Sequence, residues 1–121
     1  MTIKTQSAKA KGRLLQQKVR DKIISTHETF RQDDVKSTSM GASGEDVQLS
    51  PFVRDRLPIS IECKAYAKVA IYKWYDQAKD NSGKHEPHLV VKQNHRKPLV
   101  CVDMDYYFDL HKRLMEYEDE D

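Results

Sequence analysis

The sequence predicts an α/β fold in which a central mixed β-sheet is flanked by helices. Two kinds of segment follow one another along the chain. Some have an apolar residue every three or four positions, which is typical of helices, and others alternate apolar and polar residues, which is typical of strands. Their order is helix, three strands, helix, two strands, helix (αβββαββα). A chain of 121 residues is long enough for one domain with a single modest core.

The first helix is predicted from Ala10 to Ser25, because Leu15, Val19 and Ile23 recur at intervals of four residues. Residues 1–9 lie ahead of this pattern, and we expect them to form a flexible basic arm. The periodic segment therefore marks the start of the folded domain.

Three strands are predicted next, near Val35, at Asp46–Leu49 and at Ile59–Lys64. The run of small residues at Ser37–Glu45 indicates a turn between the first two strands. A proline breaks the second strand, and Phe52–Leu57 is predicted as a connection that includes a short helical turn. The third strand is the main one, since its alternation is the longest of the three.

The second half of the chain begins with a helix predicted from Lys68 to about Asn81, which ends near Gly83 because glycine tolerates the left-handed conformation that stops helices. Two strands follow at His88–Lys92 and Pro98–Val102. An amphipathic helix then runs from a capping aspartate at 103–105 to about Met115.

The net charge of +2 hides an uneven distribution. Five acids fall in the last six residues, 116–121, which we expect to form an acidic tail after a single domain at 10–115. Residues 1–115 hold 21 bases and 14 acids, a net charge of +7. Phosphate contacts made by such a surface provide sequence-independent affinity for DNA, although a solvated helix face has the same charge pattern. Charge therefore favours a DNA partner and leaves a purely solvating role open.

Several classes of protein are disfavoured by the composition. No apolar run approaches the length of a membrane span, and the mean hydropathy is −0.81, so we expect no membrane partner. The first ten residues lack the apolar stretch of a secretory signal, and Cys63 and Cys101 fall in predicted strands, so we expect a cytoplasmic protein. His85 and His88 have a zinc-like spacing, but a proline interrupts it and no further ligand cluster accompanies them.

The triplet Glu62-Cys63-Lys64 ends the main predicted strand. Because a strand alternates its side chains between two faces, Glu62 and Lys64 point the same way, while Ile61 and Cys63 point to the other side. Composition alone predicts about two acid-x-Lys triplets in this chain, and the other one is Asp34-Val35-Lys36. Only the first follows an apolar alternation and an upstream turn that carries an acid, so only the first is a candidate site.

Asp46 follows the small-residue turn and is the second acid of this candidate site. If the strands at 46–49 and 59–64 are neighbours, Asp46 and Glu62 share one face at one end of the sheet, and carboxylate oxygens are the ligands that Mg²⁺ prefers. Ser39 or Ser43 would contact phosphate or water from the turn, with plain turn chemistry as the alternative for both. Gln77 would face the site from the following helix, with solvent exposure as its alternative.

These residues carry a resemblance to a known superfamily. Asp46 followed by Glu62-Cys63-Lys64, on this order of elements, resembles the PD-(D/E)XK nucleases. Within that superfamily the chain is similar to archaeal-type Holliday junction resolvases and small phage-encoded endonucleases. The likeness covers about residues 10–105, and it is carried by three segments: Lys11-Gly12-Arg13, Ser39–Val47 and Ile59–Ala65.

The resemblance implies a restriction-endonuclease-like core and a metal-dependent site. Asp46 and Glu62 would bind Mg²⁺, for which Mn²⁺ substitutes, and the backbone carbonyl of Cys63 would be a further ligand. Lys64 would position or activate the attacking water and stabilise charge in the transition state, assisted by a serine of the turn. The resemblance also implies a homodimer, because two sites then cut two strands.

One position departs from the family pattern. The family usually has a glutamate on the first helix, and here the matching residue is Gln16, which is either a neutral substitute or a sign that the acid comes from elsewhere. The number of metal ions is therefore open. The expected DNA contacts are bases of the first helix and of the connection, with one glutamine of the second helix: Lys9, Lys11, Arg13, Arg20, Arg54, Arg56 and Gln77.

The predicted function is a Mg²⁺-dependent DNA endonuclease that hydrolyses phosphodiester bonds and selects branched DNA, as a Holliday junction resolvase does. If the gene belongs to a phage, the expected location is the host cytoplasm. Two alternatives stay open. One is a site-specific or homing endonuclease of phage type on the same core, and the other is a non-catalytic DNA-binding module, which Gln16 favours.

Overall fold

The computed structural model describes residues 2–38 and 44–120. Its helices are α1 (Thr2–Ser25), α2 (Pro51–Arg56), α3 (Ile71–Asp80) and α4 (Met104–Asp119). Its strands are β1 (Val35–Ser37), β2 (Val47–Leu49), β3 (Ile59–Tyr66), β4 (Glu86–Gln93) and β5 (Leu99–Cys101). In this part of the chain, no helix is both long and apolar enough to cross a membrane.

The strands form one mixed sheet in the order β1-β2-β3-β4-β5. Neighbouring strands are antiparallel except for β3 and β4, which are parallel over their full length. A parallel pair needs a crossover connection, and α3 supplies it. The structure therefore confirms the predicted α/β class with a mixed sheet flanked by helices.

Helices cover the two faces of the sheet, each with its own apolar cluster. α1 packs on the face formed by alternate residues of the central strands, and α3 packs on the opposite face of β3 and β4. The cluster under α1 includes Leu15, Ile23, Val47, Ile61, Cys63 and Val90. The cluster under α3 consists of Trp74, Ala78, Leu89 and Val91. Alternation along β3 and β4 thus produces two cores, one on each side of the sheet.

The boundaries of three helices differ from the predicted ones, and the smallest difference is in α3, which begins at Ile71 instead of Lys68. α1 begins at Thr2, so residues 2–9, predicted as a flexible arm, belong to the helix. α4 runs to Asp119, so most of the predicted acidic tail is helical. Lysine, glutamine, glutamate and alanine in these stretches are good helix formers, and no proline interrupts them. Helical propensity therefore extends both helices beyond the residues that have apolar periodicity.

The connection between β2 and β3 contains a true helix. Ser50 is its N-cap, and its hydroxyl accepts a hydrogen bond from the backbone N–H of Val53. Pro51 occupies the first turn, where the missing N–H costs nothing. The residues that end β2 thus also start α2, and the predicted helical turn at Phe52–Leu57 is α2.

Candidate active site

The register between β2 and β3 brings the two predicted metal-binding acids together. Val47 pairs with Ile61, and the backbone N–H of Asp46 donates to the carbonyl of Ile61 at 2.9 Å. The strands are antiparallel, so the next pair along the register is Asp46 and Glu62. Both carboxylates therefore lie on the same face of the sheet, close enough for the charge of Asp46 to act on Glu62.

Asp46 is held by backbone groups on both sides. Its Oδ2 accepts a hydrogen bond of 2.7 Å from the backbone N–H of Cys63. Its own carbonyl accepts from the N–H and the hydroxyl of Thr38, at 2.9 and 3.1 Å. The N–H and the carbonyl of a strand residue point toward the same neighbouring strand, so the carbonyl of Cys63 also lies on the Asp46 side of β3.

Glu62 is the buried centre of the site, with only 5 % of its surface exposed. The Nζ of Lys64 lies 3.5 Å from its Oε2, and the Nδ2 of Asn81 lies 3.5 Å from its Oε1. The Asp46 carboxylate is a third polar neighbour of Glu62. The contacts with Lys64 and Asn81 are both long, so Glu62 is oriented without being saturated by strong hydrogen bonds.

Asn81 is a site residue that the sequence analysis missed. It follows the last turn of α3, where its backbone N–H donates to the carbonyl of Gln77 at 3.1 Å. In the sequence it is part of an Asn-Ser-Gly stretch, which is typical of a turn. Because a turn already explains the asparagine, its residue type gives no reason to expect a contact with Glu62. The only signal was its position one helical turn after Gln77, which was itself expected to face the site.

Burial dominates the electrostatics of the acid pair. It raises the pKa of Asp46 above the usual value, and the Cys63 N–H and the charge of Lys64 only partly oppose this. Burial raises the pKa of Glu62 as well, and the negative charge of Asp46 adds to the effect while Lys64 and Asn81 oppose it. A half-buried and a buried carboxylate with a single lysine beside them are an arrangement that favours a proton or a cation.

The donor set suits a hard divalent cation. Two carboxylates and one backbone carbonyl, that of Cys63, are all oxygen ligands, which is the preference of Mg²⁺ and Mn²⁺. The Cys63 thiol is buried on the opposite face and its pKa is raised by burial, so its sulfur takes no part. Within residues 2–38 and 44–120, no three His, Cys, Asp or Glu side chains gather as a metal cluster.

The remaining predicted catalytic residues have different locations. Gln16 is buried on α1, which packs on the face that carries Ile61 and Cys63. No hydrogen bond joins its side chain to Asp46, Glu62 or Lys64. Ser39 and Ser43 lie outside the described residues. The structure therefore brings together three of the six predicted catalytic residues.

Two of the predicted DNA-binding arginines are engaged inside the protein. Arg20 donates to the carbonyls of Val35 and Gln32, at 2.7 and 3.0 Å. Arg54 forms an ion pair with Glu45 and donates to the carbonyl of Ile59 at 2.7 Å. Their guanidinium groups donate hydrogen bonds to backbone carbonyls near the starts of strands. Those carbonyls would otherwise need a hydrogen-bond partner that the sheet does not supply. These two side chains therefore position β1 and β3.

The other predicted DNA contacts are on the surface. Lys9, Lys11 and Arg13 are exposed on α1, Arg56 is exposed on α2, and Gln77 is exposed on α3. These side chains are open to a partner, in contrast to the two internal arginines.

An open cavity of about 370 Å³ lies where α1 crosses the carboxyl ends of β3 and β4. Lys11 donates to Oδ1 of Asn94 at 2.9 Å on its wall. The polar and basic residues that line it are Lys11, Lys18, Lys92, Asn94 and His95. No acid is among its described lining residues. Spacing along the sequence gave no indication of this cavity, because its lysines come from a helix and from a distant strand.

Comparison with models of protein families, with curated proteins and with solved structures found no match to this chain.

Proposed function

We propose that this protein is a Mg²⁺-dependent DNA endonuclease that hydrolyses phosphodiester bonds. The observation that carries the proposal is the juxtaposition of Asp46, Glu62 and Lys64 on one face of two adjacent strands. Oxygen ligands would hold a divalent cation, which activates water and stabilises charge at a phosphate, and an ammonium group beside them adds positive charge.

Two features of the fold support the family resemblance. A five-stranded mixed sheet is flanked by helices on both faces, with Asp46 directly before the second strand and Glu62 on the third. A PD-(D/E)XK nuclease with a restriction-endonuclease-like core would have this order of elements and these residue positions. We therefore extend the proposal to that core, to a homodimer and to a preference for branched DNA, in the manner of a Holliday junction resolvase.

The roles of the chain's own residues follow from their contacts. Asp46 is held in place by the Cys63 N–H, and Glu62 by Lys64 and Asn81, so both carboxylates are oriented before any ligand binds. Bound Mg²⁺ would supply positive charge beside the scissile phosphate and lower the pKa of a coordinated water. Lys64 presents its Nζ on the same face, where it would orient the attacking water and offset the charge that develops on the phosphate.

Exposed basic groups on α1 would hold the substrate by its phosphates. Lys11 and Lys92 line the open cavity without an acidic neighbour among its described lining residues, and Arg13 is exposed nearby on α1. Contacts of this kind add affinity that falls steeply with salt concentration and is independent of base sequence. Such binding suits an enzyme that recognises the shape of DNA.

The proposal predicts loss of cleavage on substitution of the triplet. Purified protein with Mg²⁺ is expected to cleave a synthetic four-way junction, and Glu62→Ala or Lys64→Ala is expected to abolish that cleavage. Lys36→Ala is the matched control, because Lys36 closes the other acid-x-Lys triplet and is exposed on β1. Circular-dichroism melting shows whether each variant is folded. Full activity in folded Glu62→Ala and Lys64→Ala would reject the assignment.

The DNA substrate separates a resolvase from a site-specific nuclease. A synthetic four-way junction and linear duplexes of varied sequence are incubated at equal concentration with Mg²⁺. We expect the junction to be cut and the linear duplexes to survive. Cleavage of one linear sequence as fast as the junction would instead identify a site-specific or homing endonuclease.

A non-catalytic DNA-binding module is the second candidate, because Gln16 supplies no charge where the family has an acid. Titration calorimetry with Mg²⁺ and Mn²⁺ distinguishes it from an enzyme. Heat of binding in the wild type that is lost in Asp46→Asn supports the nuclease. DNA binding without metal binding would support the module.

A further inference from the structure

The C-terminal helix α4 makes little contact with the described part of its own chain. It is 16 residues long and none of its residues is buried, among the residues the structure describes. Its exposed large apolar side chains include Tyr107, Phe108, Leu110, Leu114, Met115 and Tyr117. A contiguous exposed apolar patch usually marks an interaction surface, because leaving it in water is unfavourable.

These apolar side chains occupy one side of α4. Positions 107, 110, 114 and 117 are three or four residues apart and therefore form one stripe, with 108 and 115 along its edge. Asp109, Lys112 and Glu116 lie on the opposite side. An amphipathic helix with this pattern is built to place its apolar stripe on another surface.

A groove on the α1 face of the sheet has matching chemistry. It lies between α1 and strands β3–β5 and has a volume of about 700 Å³. The apolar residues that line it include Val19, Ile23, Ile61, Val90 and Val100. Val100 is 61 % exposed although it points into the groove from β5. The groove therefore has an apolar floor that no element of the described chain covers.

The charges of the residues that line the groove indicate that an acidic helix would bind there. Its lining contains Lys18, Lys22 and Lys97 against a single acid, Asp21. In contrast, α4 carries five acids and only two bases, a net charge of −3 with its histidine neutral. A helix of 16 residues is about 24 Å long, at 1.5 Å per residue. An acidic amphipathic helix and a basic apolar groove are complementary.

The first turn of α4 is located beside this groove. The ring of Tyr106 packs edge-on against His88, which lines the groove, with ring centroids 5.2 Å apart. Yet no residue of α4 is among the described groove-lining residues. The helix of one chain is thus next to its own groove without entering it, and this leaves the stripe of α4 and the groove both free for a second copy.

We propose that the occupant is a second copy of this chain, with the α4 of each copy lying in the α1–β5 groove of the other. Such a two-fold arrangement repeats the same contact twice and buries both apolar surfaces. It concerns how the copies assemble and holds whether or not the protein cleaves DNA. The proposal goes beyond a homodimer of unspecified geometry because it names the two surfaces that form the interface.

Two substitutions test the two surfaces separately. Val100→Asp places a charge in the groove, and Leu114→Asp places one in the stripe of α4. Both residues are exposed in the single chain, so neither change disturbs its core. We expect each variant alone to raise the dimer dissociation constant by about 100-fold or more in sedimentation equilibrium, because an unpaired charge would be desolvated.

Matched controls lie on the same elements. Leu99→Asp is next to Val100 on β5 and is equally exposed, but it points to the other face of the sheet. Lys112→Asp lies on the polar side of α4. Both control variants are expected to keep the wild-type dissociation constant within about threefold, as substitutions outside an interface usually do.

Mixing distinguishes reciprocal exchange from other dimers. In a mixture of Val100→Asp and Leu114→Asp, the intact α4 of the first faces the intact groove of the second, so a heterodimer forms at concentrations where each variant alone is monomeric. If Val100→Asp alone stays dimeric, or if mixing restores nothing, then α4 pairs elsewhere and the proposal is wrong. A monomeric wild type would also overturn it. Phe108→Asp replaces Leu114→Asp if the latter fails to fold.

Discussion

Two triplets of identical pattern, Asp34-Val35-Lys36 and Glu62-Cys63-Lys64, have opposite physical environments. Asp34 accepts hydrogen bonds from the Arg31 N–H at 2.9 Å and the Ser50 hydroxyl at 2.8 Å, and these bonds lower its pKa. Glu62 is buried beside another acid and its pKa is raised. Asp34 already has hydrogen-bond donors and stabilises a local turn. Glu62 is buried beside a second negative charge, so binding a proton or a cation would lower its energy.

Cleavage is the largest effect expected to separate the two triplets. Glu62→Gln keeps the shape of the side chain and removes its charge, so metal binding fails and the cleavage rate falls by about a thousandfold or more. Asp34→Asn, the matched change in the other triplet, leaves the rate unchanged. The measurement is the initial rate of cleavage of a synthetic four-way junction with Mg²⁺. Equal rates for the two variants would remove the distinction between the triplets.

Metal protection is the next effect. Mg²⁺ at a hundred times its dissociation constant would stabilise the wild type by about 2.7 kcal/mol, since it binds only the folded state. Asp46→Asn is expected to lose this increase, while Asp34→Asn retains it. Thermal melting with and without Mg²⁺ measures the difference, and it needs no activity. A similar increase in Asp46→Asn would mean that the cation binds elsewhere.

The pH dependence of stability should have opposite sign at the two sites. An acid whose pKa is raised by folding binds its proton more tightly in the folded state, so the free energy of unfolding falls as pH rises from the ordinary acid pKa through the raised value. For Asp46 and Glu62 this stability is therefore present at acidic pH and lost toward neutral pH. In Asp46→Asn the free energy of unfolding should fall less as pH rises from acidic to neutral. The variant should therefore melt a few degrees higher than the wild type at neutral pH.

Asp34 should behave in the reverse way. Its pKa is lowered by folding, so its contribution is present above the ordinary acid pKa and is lost as pH falls through the lowered value. Asp34→Asn should therefore melt below the wild type at neutral pH, and the gap should narrow in acid. Melting curves from pH 3 to pH 8 without metal, where such acids titrate, measure both profiles. Parallel profiles for the two variants would contradict the assigned environments.

The smallest effect concerns Asn81. Its contact with Glu62 is 3.5 Å long, so Asn81→Ala should reduce the cleavage rate by only about three- to tenfold, chiefly through a weaker apparent affinity for Mg²⁺. Asp80→Ala, an exposed neighbour at the same helix end, is the control. A Mg²⁺ titration of the rate separates metal affinity from turnover. No change in either quantity would show that Asn81 only ends α3.

Local patterns were enough to predict much of the fold. The alternation of β3, the four-residue spacing of α1 and the breaks at proline and glycine each depend on neighbouring residues. The two acids were predicted because a strand places alternate side chains on one face. Helix ends were predicted less well, since favourable propensity carried α1 and α4 beyond their apolar repeats.

These local patterns do not predict contacts between segments that are far apart in the sequence. Arg20 and Arg54 are of a residue type that often contacts DNA phosphates. In the structure they donate instead to backbone carbonyls that folding brings near. Asn81 reaches Glu62 only because α3 returns along β3. Lys92 joins Lys11 at one cavity because the parallel pairing of β3 and β4 sets the end of β4 beneath α1.

By itself the sequence determined the chemistry available to this protein: an α/β class, an acid–lysine strand and a preceding acid, all from the period of side chains along one element. Only the tertiary structure decided which of the two acid-x-Lys triplets is buried, where Asp46 meets Glu62 and which amphipathic helix leaves its apolar stripe exposed. The reason is physical, because burial and charge proximity depend on residues far apart in the chain, and these two quantities set pKa, metal affinity and the exposure of α4.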